Sequence, residues 1–298
     1  MPIPTKSKLW GRIHKYRFMY LMFLPIAVYF VMFAYYPFAK GITMSFQANR
    51  LIGKRPFVGL ENYARVVVDP DFLQAILNSL LIGFVDMALY FALSLILALA
   101  VNELTRPAAK KTVQTISYLP YLFSWSVIGG IWILLFDDKG FANTLLGFLG
   151  MEPVFFLAEP GLARPLIVGM GVWRSIGYFA VLYLVSIAAI SPTLFEAAQI
   201  DGAGRVRQIR KIILPSLRGT MKVILVLLAM GVLTHFDEIY VMQNPANKRM
   251  IRTLLVYIYE TGIINFKVGT ATAGAALVMV GTLVIVAITR KLIRYDEL

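Results

Sequence analysis

Few residues of this chain are of types that can do chemistry, and they fall in three places. The first is inside apolar runs: Asp86, then Trp173 and Arg174 in GVWRSIGYFAVLYL, with Tyr178 and Tyr183 further along. A charge within a membrane span is costly, so such residues mark either a pathway or a buried pairing. Tyr178 is four residues from Arg174 and shares its helical face. Aromatic faces with polar groups suit a hydroxyl-rich ligand, and a guanidinium pairs with a carboxylate. Arg174 can equally be the structural partner of Asp86, and tyrosines in such helices mostly pack or form an interfacial belt. The second place is THFDEIY, with His235, Phe236, Asp237 and Glu238. Phe236 and Asp237 join the pathway candidates. Histidine with carboxylates can ligate a metal, but residues bunched this closely fit a polar helix end better, and no metal is expected. The third place is FEAAQIDGAGRVRQIRKIILPSLRG, residues 195–219, the most polar and basic piece of the second half.

The elements that must position these residues are membrane helices. Of 298 residues, 59% are hydrophobic and 15% charged, against about 45–50% and about 25% in soluble domains. Six segments have the roughly 20 apolar residues a span needs: 19–39, 76–101, 113–135, 165–190, 219–242 and 270–290. Pro25 and Pro120 fall within the first and third, which membrane helices tolerate. No sheet pattern is visible, so the fold class is all-α, a polytopic membrane protein in a single domain. The basic N-terminus, with Lys6, Lys8 and Arg12, precedes an apolar run too long for a secretory signal, so a retained first span is expected. In the first outer loop Pro70 should break the chain and Asp71 cap the helix that follows.

The net charge of +13 fits cytoplasmic loops and lipid headgroups rather than nucleic acid, because lysine and arginine collect on the inner side of a membrane. With both termini cytoplasmic, the inner pieces take Lys15, Arg17, Lys110, Lys111, Arg205, Arg207, Arg210 and Lys211 among others, and the loop 191–218 is cytoplasmic too. The absence of cysteine excludes disulfides, zinc-thiolate sites, iron–sulfur clusters and thiol nucleophiles. No phosphate-binding G-x-x-x-x-G-K-[ST] loop is present, and neither an HExxH nor a Ser–His arrangement suggests an intramembrane enzyme.

Within the loop, Ser191 and Pro192 can open a short helix through Ile200, Gly202 can turn the backbone, and a second helix can run from Arg205 until Pro215 ends or kinks it. Val206, Ile209 and Ile213 then share one side. Taken alone, this reads as an amphipathic hairpin whose arginines meet anionic lipid.

The spacing Glu196-Ala197-Ala198, then Gly202, then Ile212, Leu214 and Pro215 resembles the EAA signature of the permeases of ABC importers, and Asp201-Gly202-Ala203 resembles the version found in their carbohydrate branch. Further stretches, such as VQTISYLPYLFSWSVIGGIWILLF and QNPANKRMIRTLLVYIYETG, resemble the polysaccharide and oligosaccharide branch with its maltose-type core. The resemblance implies a type I importer permease with six spans in the bacterial cytoplasmic membrane. Its loop 191–218 would be a coupling helix docked on a cytoplasmic ATPase. The implied partners are a second, homologous permease, two ATP-binding cassette subunits, an extracellular or periplasmic solute-binding protein and membrane lipid. This chain would bind no cofactor; ATP and Mg would sit on the ATPase. The alternative is a secondary transporter driven by an ion gradient, which should show inverted repeats and buried midplane carboxylates; Asp86 is its thin support.

Overall fold

The computed structural model describes residues 15–50 and 53–295; Lys6, Lys8 and Arg12 lie outside the described residues. The first helix, α1 (Arg17–Ser45), carries Pro25 in its interior and a π turn at Val31–Tyr35. A short α2 (Glu61–Val68) leads to the long α3 (Pro70–Asn102). Pro70 is the first residue of α3 rather than a break, because the N–H it lacks would have no intrahelical acceptor there. The capping residue is Asp69, not Asp71: its Oδ1 accepts from the Asp71 N–H at 2.8 Å.

The third expected span is broken. Helix α4 (Pro107–Leu122) tightens into a 3₁₀ turn at Leu119–Leu122 that holds Pro120, and the chain then bends by 102°. Helix α5 (Trp125–Phe136) restarts under a new cap, the Ser124 hydroxyl accepting from the Val127 N–H at 3.4 Å. After α6 (Phe141–Phe148) the chain crosses back as α7 (Pro160–Ala188). The loop region forms α8 (Pro192–Ile200) and α9 (Arg205–Ser216), and α9 meets α10 (Arg218–Gly231) at a 62° bend. The fifth expected span, 219–242, also stops early. It ends at Gly231 and resumes as α11 (Asp237–Met242), with the Thr234 hydroxyl donating to the freed Gly231 carbonyl at 3.1 Å. The short α12 (Lys248–Ile251) and α13 (Leu254–Ile264) precede α14 (Val268–Leu292).

Four helices, α1, α3, α7 and α14, are long and apolar enough to cross a membrane, and the total is six when each bent pair is one span. Among the described residues the only pairing outside helices is an isolated antiparallel bridge, Gln47 to Phe57.

Helices α3 and α7 lie along each other at the centre. Tyr90, Ala98 and Val101 of α3 meet Ala180, Leu184 and Ile187 of α7 in one apolar cluster, which Ile213, Leu217 and Ile224 complete. Lipid tails are as apolar as these side chains, so burial alone drives little association; close packing and interhelical hydrogen bonds hold membrane helices together. The bonds are there. Asn78 donates to the Arg249 and Arg252 carbonyls at 3.1 and 2.9 Å, and Arg164 donates to Asn78 Oδ1 at 2.8 Å. Ser79 Oγ accepts from the Leu254 N–H at 2.9 Å. Close packing shows at Gly177, where a Cβ would lie 2.0 Å from the Ser117 carbonyl oxygen, so only glycine lets α4 rest on α7 there.

Helix α1 stands apart. From Arg17 to Tyr35 every side chain except Ala27 is exposed. Its C-terminal part, Tyr36–Ser45, runs beside α14, and Ser45 Oγ is 2.7 Å from the Tyr63 hydroxyl.

Candidate functional site

The loop between α7 and α10 folds into a rigid elbow. Helix α8 ends in a Schellman motif: the Ala203 N–H donates to the Ala198 carbonyl at 2.8 Å and the Gly202 N–H to the Gln199 carbonyl at 3.0 Å. That closure requires a left-handed residue, and Gly202 supplies it with φ +69°. Open space surrounds Gly202, with no atom within 4 Å of where a Cβ would sit, so the requirement is conformational and not steric. Gln208, buried at 3% exposure, donates to the Ala203 carbonyl at 3.0 Å and ties α9 to the corner. Arg205 reaches Glu103 at the end of α3, 3.2 Å away.

Glu196, Ala197, Asp201 and Gly202 are exposed, while Ala198, Ala203, Ile212, Leu214 and Pro215 are half-buried. Ser191 makes no capping bond; its hydroxyl lies 2.8 Å from that of Thr193. The apolar side expected of α9 is also rearranged. Ile213 is buried in the core, but Val206 is 63% exposed. The cause is a π turn at Ile209–Ile213, whose wider spacing rotates the residues before it off the face. Leu194 and Ile200 are exposed as well, Ile200 at 86%. The elbow thus presents apolar side chains on its outside.

The intramembrane residues separate into two groups. Asp86 is 3% exposed. Its Oδ2 accepts from the Tyr90 hydroxyl at 3.0 Å and lies 3.9 Å from His235 Nε2, while its Oδ1 has no hydrogen-bond partner. His235 Nδ1 is 2.5 Å from Glu238 Oε1. The break in the fifth span places His235 here, and Thr253 steadies it by donating to its carbonyl at 2.6 Å. Asp237 points outward instead and Glu238 turns in, at 6% exposure. Phe236 stacks on Tyr240 with ring centroids 5.4 Å apart. Tyr183 is wholly buried in the α3–α7 cluster.

Arg174 does not pair with Asp86. Its guanidinium lies 4.9 Å from the Tyr121 ring centre and 4.2 Å from that of Trp125. It donates to the Phe123 carbonyl at 3.2 Å and to that of Tyr121 at 3.4 Å. These are carbonyls that the 102° bend frees, and an arginine fork suits them. Tyr178 stacks on Tyr121 with centroids 4.3 Å apart, and Trp173 sits 6.4 Å from Trp132. Near the start of α3, Arg252 reaches Asp71 at 2.8 Å and Glu260 at 3.4 Å. Burial alone would lower the pKa of its guanidinium, but these two carboxylates hold it above its ordinary value.

With this geometry in place, the family described as the inner membrane component of binding-protein-dependent transport systems matches residues 90–294. The chain belongs to this permease family. The permease is 31% identical to the polygalacturonan/rhamnogalacturonan transport system permease protein YteP of Bacillus subtilis (strain 168), a match that covers 98% of this chain and 92% of that protein. It is 30% identical to the trehalose/maltose transport system permease protein MalF of Thermococcus litoralis, over 90% and 91% of the two chains. A chain of a bacterial ABC transporter that imports the acidic polysaccharide alginate superposes with a TM-score of 0.90 at 30% identity, covering 96% of the permease and 98% of that chain. The permease is thus a multi-pass inner-membrane protein with the type I importer fold.

The geometry adds two aromatics that the sequence reading does not single out, and gives two residues of THFDEIY a partner it does not foresee. Tyr121 and Trp125 sit on either side of a break that hydropathy does not register. His235 and Glu238 meet Asp86 only because the fifth span is interrupted. The polar cluster THFDEIY, at a place where a span should still be apolar, is the one signal that could have located that interruption.

Proposed function

We infer that the permease is the membrane subunit of an ATP-driven importer that carries an oligosaccharide or polysaccharide fragment across the bacterial inner membrane by alternating access. Both termini and the elbow face the cytoplasm. There the elbow docks on an ATP-binding cassette subunit, which binds ATP and Mg; this chain binds neither. ATP binding closes the two ATPase subunits and draws the elbows together, the permease opens outward to a docked solute-binding protein, and hydrolysis resets it. Glu196 sets the register of the dock, since an exposed ion pair adds only about 0–1 kcal/mol, and the apolar contacts hold it. Arg174, Trp173, Tyr178 and Phe236 belong to the sugar path. Asp86 and Tyr183 support it from behind, and Asp237 lies at its rim.

The observation that carries this reading is the elbow itself: a corner closed by Gly202 that offers Leu194, Ile200 and Val206 to the outside. Apolar side chains presented together on a stiff polar loop mark a surface that a partner covers. The polysaccharide relative and the alginate importer support the cargo class, and the alginate importer in complex with its pentasaccharide-bound periplasmic protein supports the binding-protein partner. A second, homologous permease is supported by α1, whose exposed length has room for a neighbour.

The test is reconstitution of the permease with its second permease, ATPase and binding protein in liposomes. ATP should drive uptake, and a protonophore should leave the rate unchanged. Uptake that needs the proton gradient and not ATP would overturn the assignment and make Asp86, His235 and Glu238 an ion-coupling site.

A further inference from the structure

Two clefts on the permease join into one furrow. The smaller, of about 320 Å³, is lined by Tyr118, Leu119, Leu122, Tyr178 and Leu182, and reaches Gln114 and Val181. The other, of about 740 Å³, shares Gln114 and Val181 and opens past Phe195 to Lys110, Glu196 and Arg205 beside the elbow. The furrow therefore follows the seam between α4 and α7 that Gly177 draws tight. From Tyr178 to Ala188 it runs about 15 Å along α7, at 1.5 Å per residue.

Its lining is graded. At one end Tyr118 and Tyr178 line it, and Tyr178 lies flat on Tyr121 behind. The middle is apolar. At the mouth Arg205 is neutralised by Glu103, but Lys110 is half-buried, and among the described residues no carboxylate lies within ion-pair distance of it. A half-buried, unpaired lysine in an open cleft is placed to meet an anion.

We propose that this furrow is the exit track of the transport path and is built for an anionic oligosaccharide, with Lys110 as the cation that selects its charge. The inference rests on the permease reading and adds to it the route and the charge of the cargo. Stacked tyrosines offer flat faces to sugar rings.

The experiment uses the whole reconstituted importer with saturating binding protein. Probes are a galacturonic acid trimer and its neutral methyl-esterified form. Lys110→Gln should lower the maximal uptake rate of the acid about tenfold without changing its KM, and leave the ester at the wild-type rate. Lys110→Arg should restore the acid. An equal loss for both probes, or no loss for the acid, overturns the proposal. Transport of neither probe while binding protein still stimulates ATP hydrolysis overturns the anionic track and leaves the importer reading standing. Absence of any ATP-driven response brings down both.

Discussion

The elbow and the buried seam behind it are opposites. In the seam, where α3 meets α7, α11 and α13, nearly every polar group has an internal partner: Asn78 with Arg164, Ser79 with Leu254, Asp86 with Tyr90, and His235 with Glu238. In the elbow the backbone is closed on itself, but Glu196, Ile200 and Val206 face outward without partners of that kind. Internal satisfaction is what a wall needs. Outward presentation on a stiff frame is what a handle needs. On the proposed function, the difference separates residues that keep the permease intact from residues that would connect it to a partner, and substitutions in the two regions should fail in different ways.

The largest stability loss belongs to the seam. His235→Leu leaves the Asp86 and Glu238 carboxylates buried without their shared imidazole, and breaking a buried pair in this way costs about 3–5 kcal/mol. Thermal unfolding of the purified complex should show a marked drop in midpoint; an unchanged midpoint would remove the distinction between the regions. Next comes Arg174→Ala, which uncovers the Tyr121 and Phe123 carbonyls at the bend; hydrogen bonds to a charged group are worth about 1.5–3 kcal/mol each. Arg174→Lys should recover little, because an ammonium neither forks nor stacks, and uptake with unfolding measured together would reveal any full rescue.

Gly202→Val should cost less stability, about 1–2 kcal/mol for a side chain in the left-handed region, yet abolish binding-protein-stimulated ATP hydrolysis. Gly202→Asn should retain most coupling, since asparagine tolerates that conformation. A Val variant that turns over normally would show that the elbow is not the handle. The smallest effect is expected at Ser191→Ala, below about 0.5 kcal/mol instead of the usual ~1 for losing a helix cap, because the hydroxyl touches Thr193 and not the backbone. A loss of a full kcal/mol in the same unfolding assay would show that it caps after all.

Much of this was legible in the chain. Hydropathy marks the apolar segments because each span must satisfy its own backbone, and the spacing from Glu196 to Pro215 marks the elbow because its corner admits one backbone conformation. The interruptions were not legible. Residues 113–135 and 219–242 read as continuous apolar runs, and what stops them lies elsewhere: Arg174 of α7 covers the carbonyls freed at Tyr121 and Phe123, and Thr253 steadies His235. The burial of Glu238 in place of Asp237 follows from that same interruption. Val206 misses its expected face because the π turn has no sequence signature, and Asp69 takes the capping role from Asp71 because Pro70 can begin a helix.

The isolation of α1 has a mechanical consequence. Its section from Arg17 to Tyr35 rises about 28 Å at 1.5 Å per residue, and it is anchored to the body near Ser45 and α14. A tilt of about ten degrees at that anchor would sweep the Arg17 end, about 42 Å away at 1.5 Å per residue, through about 7 Å while the α3–α7 packing stays intact. The helix is in effect a lever hung from its Ser45 end, able to swing while the body keeps its shape.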